Sequence, residues 1–247
     1  MFHNLHKFVE RRTNNLEMRK LSIVILLFLY ACSSFKSNAT TEAPHVKVRY
    51  LALGDSYTIG ESVDEAERWP NQLADFLKAG GFPTDVTIIA RTGWTTSELW
   101  DGIQAEKINP PYDLVSLLIG VNDQYRDYDI NEYHQQFNFL LNKSIKYAGG
   151  NSKRVIVLSI PDWSVTPFAQ GQDVKQIAKD IDAFNTVNRE ETEKAGATYV
   201  DITSVSREST NDSSLIASDG LHPSGKMYME WAKLAYSAAL KVLEISK

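Results

Sequence analysis

Cysteine is almost missing from this chain of 247 residues, in which Cys32 is the only one. A single thiol excludes an intramolecular disulfide framework and a cysteine-ligated zinc site. The five histidines are too scattered along the sequence to predict a set of metal ligands. The segment GDSYTIG (54–60) also lacks the lysine and the glycine spacing of a phosphate-binding loop. We therefore expect neither a metal nor a cofactor.

Basic residues are also fewer than acidic residues in this sequence. The chain has 26 Lys and Arg residues against 31 Asp and Glu residues, which gives a formal net charge of −5. A protein whose main partner is nucleic acid needs clustered basic side chains to neutralise phosphates. The charge balance therefore argues against a nucleic-acid partner. With 43% hydrophobic residues, the chain is long enough for one substantial core and short for two.

Hydrophobic runs of membrane-spanning length are absent from the sequence. The uncharged run LSIVILLFLYA (21–31) has eleven residues, whereas a spanning helix needs about 20. A basic start at Met18-Arg19-Lys20 and a small residue before Cys32 are typical of a secretory signal. We predict a signal peptide over 1–31, with Met18 as an alternative start. A buried helix or a short membrane anchor is the alternative interpretation.

The end of this run has a further pattern. Leu29-Tyr30-Ala31-Cys32 resembles the lipobox of bacterial lipoproteins, although Tyr30 stands where a smaller residue is usual. The resemblance implies that Cys32 becomes the lipidated first residue of the mature protein. The polar segment 32–47 is then a linker. We expect an exported protein that is anchored by lipid to a bacterial cell membrane, on the periplasmic or cell-surface face.

After this linker, five apolar runs of strand length alternate with segments of helical periodicity. The runs are VRYLALG (48–54), DVTIIA (85–90), YDLVSLLIG (112–120), RVIVLSI (154–160) and TYVDI (198–202). Among the helices between and after them, one has Asn131 as its expected N-cap. The last begins near Ser224, and its expected buried face is Met227, Trp231, Leu234 and Ala238. This alternation predicts one α/β domain over 48–247, with a parallel sheet covered by helices on both faces.

Polar segments follow the predicted strands, at the sheet edge where ligands of such folds bind. They are Gly54-Asp55-Ser56, ARTGWTT (90–96), GVND (120–123) and, before the last helix, DGLH (219–222). A serine nucleophile needs a base and a group that orients the base. Asp219 and His222 are three residues apart, which lets the carboxylate reach the imidazole. Donors for an oxyanion are the Ser56 and Gly93 N–H groups and the Asn122 amide.

Each of these segments is a weak signal alone, since each also suits an ordinary turn or helix cap. Asp162 and Asp201 follow strands and are alternatives to Asp219 as the acid. Four aromatic residues on loops after strands either wall a pocket or cover the sheet edge: Trp94, Tyr125, Trp163 and Phe168. The order of all four segments along the chain is what favours catalysis over chance.

The four segments together resemble the SGNH (GDSL-type) hydrolases, from about Tyr50 to the last helix. The resemblance implies a flavodoxin-like three-layer α/β/α sandwich with a five-stranded parallel sheet. It also implies a serine esterase, with Ser56 as nucleophile, Gly93 and Asn122 as oxyanion donors and Asp219/His222 as acid and base. One departure concerns Gly93, because an asparagine often precedes this glycine in the family and residues 90–92 read Ala-Arg-Thr.

These observations predict an enzyme that hydrolyses small carboxylic esters. The loops contain no amphipathic apolar stretch of the kind a lipase lid uses, so we expect short acyl groups on small or carbohydrate alcohols. One alternative is a lysophospholipase or thioesterase that acts on long acyl chains. Another is a non-catalytic lipoprotein that keeps the fold as a binding module.

Overall fold

The computed structural model describes residues 47–245, with side chains described to residue 243. The predicted signal peptide, Cys32 and nearly all of the linker lie outside the described residues. Among those residues, five strands form one sheet in the order β2-β1-β3-β4-β5, and every pairing is parallel. The strands are β1 (Val48–Gly54), β2 (Thr84–Ala90), β3 (Leu114–Leu118), β4 (Val155–Leu158) and β5 (Thr198–Val200). The order is that of flavodoxin-like sheets.

Eight α-helices accompany the sheet within the described residues, together with short 3₁₀ turns. They are α1 (Ser56–Ile59), α2 (Trp69–Ala79), α3 (Thr96–Ala105), α4 (Val121–Tyr125), α5 (Ile130–Tyr147), α6 (Val174–Lys194), α7 (Thr203–Arg207) and α8 (Gly225–Ile245).

The long helices cover both faces of the sheet. Helix α2 packs against α8, while α5 packs against α3 and α6. Every residue of β3 and β4 is buried, as is nearly all of β1, whereas the edge strand β2 is mostly half-buried or exposed. Burial on two faces explains why the central strands are continuous apolar runs rather than alternating ones. The predicted α/β/α sandwich with a five-stranded parallel sheet is confirmed.

Two details of the helices differ from the sequence-based expectation. The N-cap of α5 is Asp129, whose carboxylate accepts the N–H groups of Asn131 and Glu132, so the expected cap Asn131 lies inside the helix. In α8, Leu234 is 40% exposed, and the fully buried position is Ala235. The buried face advances by four residues from Trp231 to Ala235, where the prediction assumed three. Either step keeps a side chain on one helix face, so spacing alone did not decide between them.

The strand order brings the polar segments together. Because β1 lies between β2 and β3, the segment after β1 is flanked by the segments that follow its two neighbours. The segment 219–222 comes from further along the chain. It lies in a loop that an antiparallel bridge between Ile216 and Pro223 closes, and the Ala217 N–H donates to the His222 carbonyl at 2.8 Å. Across residues 47–245, none of the helices is both long and apolar enough to traverse a bilayer.

Candidate active site

Ser56 is the first residue of the short helix α1, directly after β1. Asp55 caps this helix, since its Oδ1 accepts the Tyr57 N–H at 3.0 Å. The cap turns the chain sharply at the carboxyl end of the strand, so that Ser56 borders a cavity at the sheet edge. Ser56 is only 4% exposed. The local sequence thus fixes a serine at a strand exit, where a small ligand can reach it.

Asp55 is fully buried beneath this turn. Burial raises the pKa of Asp55 to about 8, and the neighbouring Asp123 adds to the rise. Asp123 is itself buried and accepts both the backbone N–H and the hydroxyl of Thr96, at 3.0 and 2.6 Å. Burial raises the pKa of Asp123 to about 6 despite these bonds. Burial therefore favours the neutral form of Asp55 beside the Ser56 backbone.

Asp219 and His222 form a close pair, with Oδ2 of the acid 2.6 Å from Nδ1 of the imidazole. Burial opposes ionisation of Asp219, but hydrogen bonds from Ser62, Leu221 and His222 outweigh it and hold the pKa of Asp219 well below its ordinary value. An ionised carboxylate only accepts, so Nδ1 of His222 carries the proton and Nε2 is left as an acceptor. The Tyr57 ring packs on the imidazole at 5.2 Å between centroids.

Ser56 and His222 line the same cavity, although no hydrogen bond between their side chains is found in the described part of the chain. Such bonds are often long in enzymes without substrate and tighten when it binds. The structure thus brings the expected nucleophile and base together at one cavity.

The two further donor candidates lie beside Ser56. Gly93 has a left-handed backbone (φ 84°), and its carbonyl accepts from Nη2 of Arg126 at 2.7 Å. The amide of Asn122 donates to the Trp94 carbonyl at 2.9 Å. A contact from the same nitrogen to Asp55 Oδ2, at 3.5 Å, is at the limit of a hydrogen bond. One N–H of Asn122 is thereby held by Trp94, and the other is available to a stronger acceptor.

The cavity has a volume of about 150 Å³. Its polar wall is Ser56, Thr92, Asn122 and His222, with Gly93 between them, and its apolar wall is Tyr57, Val121, Tyr125, Trp163, Phe168 and Leu221. Three of the four aromatic residues that were candidates for a pocket wall therefore line this cavity, namely Tyr125, Trp163 and Phe168. Trp94 does not, because its ring lies against Gly102, where an added Cβ would meet it at 2.1 Å.

The alternative acids are engaged elsewhere. Asp162 is buried and pairs with Arg207 at 2.8 Å. Asp201 accepts the Thr203 N–H at 3.0 Å and lies 3.6 Å from Arg189. Of the three acids considered from the sequence, Asp219 is the one that contacts His222. Within the described residues, no group of His, Cys, Asp or Glu side chains has the arrangement of a metal site.

Sequence reasoning missed Arg126 and Ser62. Arg126 also contacts Glu98, which closes a capping box at the start of α3, so one guanidinium joins the Gly93 loop to two helices. Its position four residues after Asn122 is a helical spacing that would place both on one side of α4. The Ser62 hydroxyl donates a hydrogen bond of 2.6 Å to Asp219, although the two residues are 157 positions apart in the sequence. No local pattern could have indicated that contact.

The arrangement defines the class of an SGNH-type hydrolase, and a family comparison agrees. Residues 52–229 match the GDSL-like lipase/acylhydrolase family, so the chain belongs to that family. A search of curated proteins found no match.

Several solved structures share the fold. The esterase EstA from Pseudoalteromonas sp., described as inhibited by monoethylphosphonate, is 18% identical with a TM-score of 0.61, over 79% of this chain and 98% of its own. Axe2, an acetylxylan esterase from Geobacillus stearothermophilus, is 19% identical with a TM-score of 0.58, over 80% and 95%. The acetyl xylan esterase AlAXEase is 16% identical with a TM-score of 0.62, over 77% and 99%. These values show similarity of fold.

Proposed function

We propose that the protein is a serine esterase in which Ser56 attacks the ester carbonyl, His222 takes the serine proton and Asp219 orients His222. The observation that carries this proposal is the 2.6 Å pair of Asp219 and His222, of which His222 lines the same small cavity as Ser56. The proton on Nδ1 leaves Nε2 free to accept the hydroxyl proton of Ser56, and the ionised Asp219 stabilises the imidazolium that results.

The attack creates a negative charge on the former carbonyl oxygen. The Ser56 and Gly93 N–H groups and the N–H of Asn122 that makes only the long contact with Asp55 would stabilise this oxyanion. His222 then returns its proton to the alcohol oxygen, the alcohol leaves, and an acyl group remains on Ser56. In the second half of the reaction, His222 takes a proton from a water molecule, and the water oxygen attacks the carbonyl of the acyl-enzyme. His222 then returns this proton to the Ser56 oxygen, and the carboxylic acid leaves.

The acyl group is short in this proposal. A cavity of about 150 Å³ is the size that holds a benzene molecule, about six carbons. Butyryl or acetyl groups fit inside the cavity, whereas most of a palmitoyl chain would lie outside it. At the cavity Tyr125 and Phe168 are 50% and 43% exposed, and flat aromatic faces of this kind suit the apolar face of a sugar ring. We therefore propose acetyl- to butyryl-sized esters of small or carbohydrate alcohols, and acetyl xylan esterases among the structures of the same fold are in keeping with this.

Two measurements test this function. Ser56→Ala should abolish ester hydrolysis with an unchanged melting temperature, and an organophosphonate should add to Ser56 in peptide mass spectrometry. Full activity in that variant, or labelling of another serine, would end the assignment of Ser56 as nucleophile. A parent protein that hydrolyses no ester and takes up no phosphonate would leave a binding module as the better interpretation. For chain length, kcat/KM for a butyryl ester should exceed that for a palmitoyl ester by about tenfold or more. The reverse preference, measured below the micelle concentration, would favour a lysophospholipase or thioesterase.

We also propose that the protein is exported and attached to a bacterial membrane through lipid on Cys32. The support is the uncharged run of eleven residues before the single cysteine. Expression in a bacterial host with labelled fatty acid should give a labelled membrane-bound protein, and Cys32→Ser should give neither label nor cleavage at this position. An unmodified Cys32 thiol in an uncleaved chain would refute lipid attachment.

A further inference from the structure

The residue Ser62 lies in the segment Gly60-Glu61-Ser62, which follows the nucleophile helix α1. Its hydroxyl donates to Oδ2 of Asp219 at 2.6 Å. The same oxygen lies 2.6 Å from Nδ1 of His222. Oδ1 of Asp219 accepts the backbone N–H groups of Leu221 and His222, both at 2.9 Å.

These four donors fill the acceptor capacity of the carboxylate, since each oxygen has two lone pairs. Three of the donors belong to the loop of Asp219 itself and move with it. Ser62 is the one donor from outside that loop, and it lies three residues after the end of α1, the helix that begins with Ser56. It therefore fixes the carboxylate relative to the nucleophile, which bonds within the loop cannot do.

The backbone at Ser62 gives a second and independent observation. Ser62 has φ 65°, and the only other non-glycine residue with a positive φ in the described chain is Asp127, with φ 55°. Glycine adopts this conformation without strain, whereas serine does so at a cost in stability. A glycine at position 62 would suit the backbone better, so what serine contributes there is the hydroxyl on Asp219.

We propose that Ser62 is a positioning residue for catalysis, which acts through Asp219 to hold the imidazole of His222 toward Ser56. This inference rests on the triad roles proposed above. Removing the hydroxyl frees Oδ2 to turn away from the orientation that serves His222. Asp219 and Ser62 are accessible to water, which replaces part of the lost bond. We therefore expect a loss of about tenfold in kcat, the low end of the range for partners that orient metal-binding side chains.

The test uses the full chain with Ser62→Ala and Ser62→Gly. Both should lower kcat about tenfold with little change in KM. Ser62→Gly should melt no lower than the parent, because it relieves the positive φ. Asp127→Gly is the matched control, which relieves the same kind of strain at a residue that does not line the cavity and should leave kcat unchanged. Unchanged kcat in Ser62→Gly would overturn the inference.

A second measurement separates action through Asp219 from a general structural role. In an Asp219→Ala background, Ser62→Gly should cause no further loss of the residual activity toward an activated ester, because the group it positions is gone. An equal tenfold loss in that background would also overturn the inference. If Asp219→Ala itself keeps full activity, the proposed triad fails, whereas an inactive Asp219→Ala with a fully active Ser62→Gly removes only the role of Ser62.

Discussion

Replacing Asp55 by asparagine should change how the stability of the protein depends on pH. Asp55 is fully buried, and its pKa is raised from 3.8 to about 8. In the unfolded chain the same carboxyl loses its proton near its ordinary value. Between these two pH values the folded state therefore binds one more proton than the unfolded state, and stability falls as pH rises, by about 1.4 kcal/mol per pH unit.

Two other acids set the window for the measurement. Asp123, with a pKa raised to about 6, adds a similar slope below pH 6, which falls to about a tenth of that by pH 7. Asp219 has a lower pKa in the folded protein than in the unfolded chain. Its contribution to stability is therefore fully present at pH values above its pKa in the unfolded chain, and it is lost only as the pH falls toward the folded pKa. From pH 6 to 8, Asp55 is thus the carboxyl among these three that contributes most of the difference in bound protons between folded and unfolded states. The part from Asp123 is present in both parent and Asp55→Asn. The amide introduced by Asp55→Asn would keep an oxygen for the Tyr57 N–H and has no proton to lose.

The assay is urea denaturation of the parent and Asp55→Asn at several pH values between 6 and 8. The free energy of unfolding of the variant, relative to that of the parent, should increase by about 1.4 kcal/mol per pH unit. Asp101→Asn, on an exposed part of α3, is the control for the change in net charge. Identical slopes for parent and Asp55→Asn would mean that Asp55 is already ionised in the folded protein, and the reasoning from burial would be refuted.

Two further predictions concern the oxyanion donors and the backbone near them. Asn122→Ala should lower kcat about 100-fold or more with a smaller change in KM, because its weakly held N–H acts on the transition state. Steady-state kinetics that show an unchanged kcat would remove Asn122 from the oxyanion site. Gly120→Ala should destabilise the protein by about 2–5 kcal/mol, measured by chemical denaturation, from backbone strain and overpacking together. Gly120 has φ 127°, and an added Cβ would lie 2.4 Å from the Tyr133 hydroxyl. Gly171→Ala is its control, since φ is 85° there and nothing lies within 4 Å of the added Cβ; equal losses for the two variants would show that Tyr133 moves aside freely.

The sequence by itself determined the layered α/β fold. Strand-length apolar runs with helical segments between them leave few alternatives to a parallel sheet with helices on both faces, because backbone hydrogen bonding and two-sided burial act on local patterns. It also placed Ser56 at a strand exit, and it paired Asp219 with His222, since a separation of three residues makes that contact local. These features depend on neighbours in the chain.

Local patterns were less informative where two choices satisfy the same periodicity. Asp129 and Asn131 are both good cap residues two positions apart, and Leu234 and Ala235 both continue a helical stripe from Trp231. The choice came from how α5 enters its first turn and how α8 lies on the sheet. Packing against other elements decided these cases.

Only the tertiary structure decided the contacts that join distant segments. The strand order β2-β1-β3 brought Gly93 and Asn122 to either side of Ser56, and no local pattern states which strands become neighbours. The raised pKa of Asp55 required its complete burial beside Asp123. The bond from Ser62 to Asp219 spans 157 residues, so its existence depends on the packing of the whole domain. Sequence specifies which side chains are available, and the fold specifies their distances and their access to water, on which their chemistry depends.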